Sequence, residues 1–153
     1  MGKLLGINRS LSNEIVKVLA PRESGVVGPF VTIRELLCFA AMLGFQKKRR
    51  VPLPDGPKED IAFSTFDEHD AYNYVFLIGV AETKSLEILK DGRENELQKI
   101  FEEYAQGGLD IIASWMTKYS DPKGFNAIVR GLHDEGYIDS DTIDPKLIES
   151  VRF

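Results

Sequence analysis

The sequence predicts an all-α fold, a compact single domain of six or seven helices around a buried central helix. Three observations carry that prediction. Residues 36–44 hold no charge and follow a T-x-x-E cap at Thr32 and Glu35. Residues 93–119 repeat apolar side chains at helical spacing over roughly six turns. Asp121-Pro122 and Asp144-Pro145 each set an N-cap acid before a proline suited to the first helical position.

Taken in order, the first helix is expected over "SNEIVKVLA", with Ile15, Val16 and Leu19 on one face and Pro21 as its stop. "RESGVVGPF" reads as a loop, punctuated by two glycines and Pro29. The helix from Thr32 is apolar all round beyond Leu36, the mark of a buried element. Gly44 is its expected end, and Lys47, Lys48, Arg49 and Arg50 beyond it suit the negative pole of the helix. "VPLPDGPKED", residues 51–60, holds three prolines and a glycine and reads as a connection between a basic part (1–54) and an acidic helical part (61–153) of one domain.

A second T-x-x-E, Thr65 and Glu68, leads into "AYNYVFLIGVAE", predicted as helix, and a short helix follows around Leu86–Lys90. In the 93–119 helix the stripe runs through Leu97, Ile100, Phe101, Tyr104, Gly108, Ile111, Ile112, Trp115 and Tyr119. Gly107 and Gly108 interrupt it, each costing up to about 1 kcal/mol against alanine, so another helix should cross closely there. The Asp-Pro pairs then start helices over "KGFNAIVRGLHDEG", closed by Gly136, and "KLIESV".

Composition narrows the function. The net charge of −5 hides an asymmetry: residues 1–54 hold nine Lys/Arg against three Asp/Glu, a balance of +6, and residues 55–153 hold ten against twenty-one, a balance of −11. Either a basic face meets a polyanion, or the two halves neutralise each other across the fold. The longest uncharged apolar runs, 36–44 and 71–81, are too short to span a bilayer, and "MGKLLGINRS" has neither signal-peptide nor myristoylation pattern. One cysteine, Cys38, suits a reducing, cytoplasmic setting.

No phosphate-cradling glycine loop and no nucleophile elbow is present. Cys38 lies in an apolar helix, where a thiolate is disfavoured. In "FDEHD", the neighbours Asp67, Glu68, His69 and Asp70 point about 100° apart on a helix and cannot converge on one ion. A metal would need His69 together with His133; an acidic first turn is the plainer reading. Glu102, Glu103 and Asp110 read as a solvated flank. No catalytic residue, cofactor or metal site is expected. Lys47, Lys48, Arg49 and Arg50, with no aromatic among them, suit phosphate contact and not base stacking, or else a solvated helix end.

"FVTIRELLCFAAMLGFQKKRRVPL" (30–53) with "IFEEYAQGGLDII" (100–112) resembles the Dnd system-associated protein 4 family, small proteins encoded beside bacterial DNA phosphorothioation systems. The likeness covers about residues 12–115 and lies in the order of elements: an F-A-A-x-x-G-F helix end, basic residues, a proline-rich connection, an apolar helix and E-E-Y-A-x-G-G-L. It implies a non-catalytic accessory of a modification, restriction or anti-phage system. The four cations then become the expected contact to the DNA backbone, and other proteins of the system become expected partners. A protein–protein scaffold with no DNA contact is the alternative.

Overall fold

The computed structural model describes residues 6–68 and 71–139. Its elements are β1 (Gly6–Ser10), α1 (Ile15–Leu19), α2 (Ile33–Gln46), β2 (Lys58–Ala62), α3 (Phe63–Glu68), α4 (Tyr72–Thr83), a 3-10 turn (Leu86–Leu89), α5 (Glu94–Lys118) and α6 (Phe125–Asp134). The helical reading holds for most of the chain, and the purely all-α reading is corrected by a two-stranded antiparallel sheet. β1 pairs with β2 so that Ile7 faces Ile61 and Arg9 faces Glu59. β2 also takes the last three residues of the 51–60 connection, which is therefore not coil throughout.

α2 is as buried as its composition demands, with Leu36, Leu37, Ala40 and Ala41 almost fully enclosed. Thr32 caps it: its Oγ1 accepts from the Glu35 N–H at 3.1 Å, while Glu35 reaches back to the Val31 N–H at 3.3 Å. α5 shares the central position, packing against α2, α4, α6 and β1. The two long helices touch at backbone distance. A Cβ on Gly108 would collide with the Ala40 carbonyl, and one on Gly44 with the Tyr104 carbonyl. The close crossing expected at Gly107 and Gly108 is thus present, whereas Gly44 does not end α2. It is the matching notch on the other helix, and α2 continues to Gln46.

Further boundaries move for local reasons. Thr65 lies inside α3, not at a cap, and α4 starts at Tyr72 after Ala71 with no side-chain cap. Asp121 does cap α6, accepting from the Asn126 and Ala127 N–H groups at 2.8 and 2.9 Å. It does so across an intervening turn, so Pro122 is not the first helical residue and α6 begins at Phe125. Gly136, at φ 81°, closes that helix as expected. The Asp144-Pro145 helix and His69 lie outside the described residues.

Candidate nucleic-acid interface

The four-cation run sits on a fully engaged backbone. The Arg49 N–H donates to the Gly44 carbonyl at 2.8 Å and the Lys48 N–H to that of Phe45 at 3.0 Å, the paired bonds of a Schellman helix end. The residue placed in left-handed backbone is Lys48, φ 56°, where glycine is usual. Beyond it the Val51 N–H donates to the Glu103 carbonyl at 3.0 Å, and a Cβ on Gly107 would collide with the Arg49 carbonyl. The chain after α2 therefore lies directly on α5.

Its side chains meet acids of the second half. Lys47 Nζ is 2.6 Å from Glu135, and Arg49 is 3.8 Å from Asp110. Arg50 bridges α4 and α5, with Nε 2.8 Å from Glu103 and Nη1 3.0 Å from Glu82. Glu82 also accepts from the Tyr104 hydroxyl at 2.7 Å; burial first, and that bond second, push the tyrosine up to about 12. The bond to Glu135 raises the Lys47 pKa. Burial works against the charge on Arg50, yet its two carboxylate partners raise its pKa overall. Three of the four cations thus face four carboxylates, so that the charges of the run and of its acidic surroundings balance locally. Lys48 is exposed and enters no ion pair among the described residues.

The flank of α5 corrects another expectation. Glu102 and Glu103 are only 8% exposed and do not form a solvated face. Glu102 accepts from the Asn8 N–H at 2.6 Å and from Gln98 Nε2 at 3.1 Å, tying β1 to α5. Burial outweighs those bonds and raises its pKa. The adjacent Gln98 Oε1 is buried without a hydrogen-bond partner. Asp110 is partly exposed and accepts from Gln106 as well as facing Arg49. Burial pushes the Cys38 thiol up to about 12, which leaves it inert at neutral pH. No cluster of three or more potential metal ligands occurs among the described residues, and none of their helices is long and apolar enough to cross a membrane.

The remaining positive charge of the first half gathers elsewhere. Arg9, 5% exposed, holds Glu59 across the sheet through Nε at 2.9 Å and Nη2 at 2.7 Å. Arg22, from the loop after α1, takes the other oxygen of Glu59 at 2.7 Å. Burial would raise the Glu59 carboxyl, but the bonds and charges of the two guanidinium groups hold it below the usual range. Two cations on one carboxylate leave a positive excess. It borders a cleft of about 410 Å³ that Lys17, Glu23 and Lys123 also line, Lys17 standing 3.5 Å from Glu14. None of these residues lies in a run, so the sequence drew attention to 47–50 instead. The available signal was the excess of cations scattered before residue 47.

A family model described as DNA sulphur modification system-associated protein 4 matches residues 11–137. No curated protein and no solved structure matches the chain.

Proposed function

The chain belongs to the DNA sulphur modification system-associated protein 4 family, and from that premise we propose that it is a non-catalytic accessory that binds the DNA backbone for such a system. The observation that supports this reading is that two guanidinium groups, Arg9 and Arg22, share the single carboxylate of Glu59 at the edge of an open cleft. A duplex phosphate needs cations that are not already neutralised, and contacts of this kind position a protein without reading sequence. Contact through Lys47, Lys48, Arg49 and Arg50 is proposed in a narrower form. Lys48 can meet a phosphate at once, whereas Lys47, Arg49 and Arg50 must first exchange a carboxylate partner. Fluorescence anisotropy with an unmodified duplex over a salt series tests the reading. Binding should weaken with a log–log slope of about −2 to −3, as for three phosphates engaged; no binding at low salt overturns it.

A second reading, the protein-docking module, is favoured by a specific surface. Phe39, Met42, Leu132 and Tyr137 line an open apolar groove of about 400 Å³ between α2 and α6. In that reading the neutral 47–50 run is purely architectural, and the partner is another protein of the system. Co-purification with a system protein that is lost in Met42→Asp, together with no duplex binding, would select it.

A further inference from the structure

We propose that residues 140–153 of this chain fold back as a short helix onto the apolar groove between α2 and α6, so that any protein using the groove has to displace the chain's own segment. The proposal goes beyond both readings above and needs no DNA contact.

α2 is apolar over more of its circumference than the core uses. Leu36, Leu37, Ala40 and Ala41 are enclosed, whereas Met42 is 37% exposed and Phe39 half-buried. Those two line the groove together with Leu132 and Tyr137, and they also border a second open recess that Tyr74 of α4 lines. The open apolar surface therefore extends from α6 across α2 to α4, which is more than a scatter of single apolar side chains.

The chain leaves the described fold beside this surface. Gly136, in left-handed backbone at φ 81°, donates its N–H to the His133 carbonyl at 2.9 Å, and the Tyr137 N–H donates to the Leu132 carbonyl at 2.9 Å. That turn carries Tyr137 back to the groove it lines with Leu132. Lys47 Nζ, 2.6 Å from Glu135, ties the same corner to the end of α2. Asp139 follows Tyr137 by two residues, so the exit stays within about 7 Å of the rim.

The sequence beyond that exit, outside the described residues, fits the surface. Asp144 and Pro145 are an N-cap acid and a first-turn proline. Ile143 before the cap and Ile148 at the fourth helical position have the spacing of a hydrophobic staple. Leu147, Ile148 and Val151 fall within about 100° of a helix circumference, with Lys146 and Glu149 away from that stripe. A helix of about nine residues does not persist alone in water, so the stripe needs an apolar surface to pack on. A groove between two helices accepts such a stripe. The link 140–143 spans up to about 14 Å, enough to reach the groove from its rim. Tethered that closely, the segment meets the groove at an effective concentration on the order of millimolar, which favours it over a second copy or a separate protein.

The test uses the full chain carrying Met42→Cys and follows alkylation by a small maleimide. Cys38 is 8% exposed and its burial keeps the thiol protonated, so the chain without the added thiol supplies the background. Leu147→Asp with Ile148→Asp should speed alkylation at position 42 roughly tenfold, the acceleration expected when a cover closed nine-tenths of the time is removed. Lys146→Glu with Glu149→Lys, off the stripe and neutral in net charge, should leave the rate unchanged. Equal rates with and without the aspartates overturn the proposal and leave the groove to a partner protein. Protection that fades on dilution assigns the groove to a second copy and overturns it as well. Acceleration at Cys38 together with position 42 means that the segment supports the core and not the groove, which also overturns it.

Discussion

Two groups of cations from the same basic first half end in opposite situations. Lys47, Lys48, Arg49 and Arg50 are consecutive, yet Glu135, Asp110, Glu103 and Glu82 pair with all of them but Lys48. Arg9, Lys17 and Arg22 are scattered through the chain, yet the fold gathers them around one cleft, where Arg9 and Arg22 share the single carboxylate of Glu59. A run of like charge in a sequence is a local fact, whereas the field that a polyanion meets depends on what the rest of the chain sets opposite. In this protein the second half is acidic enough to absorb the run. It does so because α5 carries its carboxylates against the end of α2.

That comparison breaks most severely where α2 and α5 touch. Gly108→Ala forces a Cβ onto the Ala40 carbonyl. Alanine should gain about 1 kcal/mol in helix propensity but lose about 3 kcal/mol through overpacking. A net fall in the urea midpoint is expected, with loosening of the ion pairs at 47–50.

Arg50→Ala acts on the compensated group alone. It leaves Glu103 buried without its cation and removes one of the two groups that hold Glu82. A loss of about 1–2 kcal/mol is expected, kept small because Arg50 is itself partly exposed. Urea unfolding checks it.

Two carboxylates beside the sheet sharpen the contrast through pH. Glu59 has its pKa lowered, so its contribution is present above the ordinary carboxylate value of 4.5 and is lost as pH falls through its folded value. Glu102 is raised, so the folded state is penalised progressively as pH climbs from 4.5 through its folded value. Glu102→Gln keeps an acceptor for Asn8 and for Gln98 Nε2 and removes the buried negative charge. It should stabilise by about 1 kcal/mol above the folded pKa of Glu102, with the gain fading toward pH 4.5. Denaturant midpoints across that range would reveal the convergence.

The smallest effect concerns Lys48. Lys48→Gly relieves left-handed backbone and should stabilise by roughly 0.5–1 kcal/mol, read as a rise in Tm. If duplex affinity is unchanged in that variant, the lysine is not a DNA contact.

Local patterns made the helices legible: the Thr32 cap, the stripe of α5 and the closing Gly136 all depend on neighbours within a few residues. The sheet was not, because "GINRS" and "KEDIA" contain little that favours a strand and pair across about fifty residues. Gly44 was misread for a related reason. A glycine near a helix end suggests a stop, and only the partner helix reveals that it is a notch. The cleft was the least legible of all, since Arg9, Arg22 and Glu59 converge only after β1 and β2 pair.

The central claim, that spatial compensation and not the run decides where polyanions bind, is met most directly by two matched double reversals. Lys17→Glu with Arg22→Glu removes charge at the cleft; Lys48→Glu with Arg49→Glu removes the same amount at the run. Duplex affinity at low salt should collapse in the first and change by less than about threefold in the second. The opposite order would contradict the account and return the interface to residues 47–50.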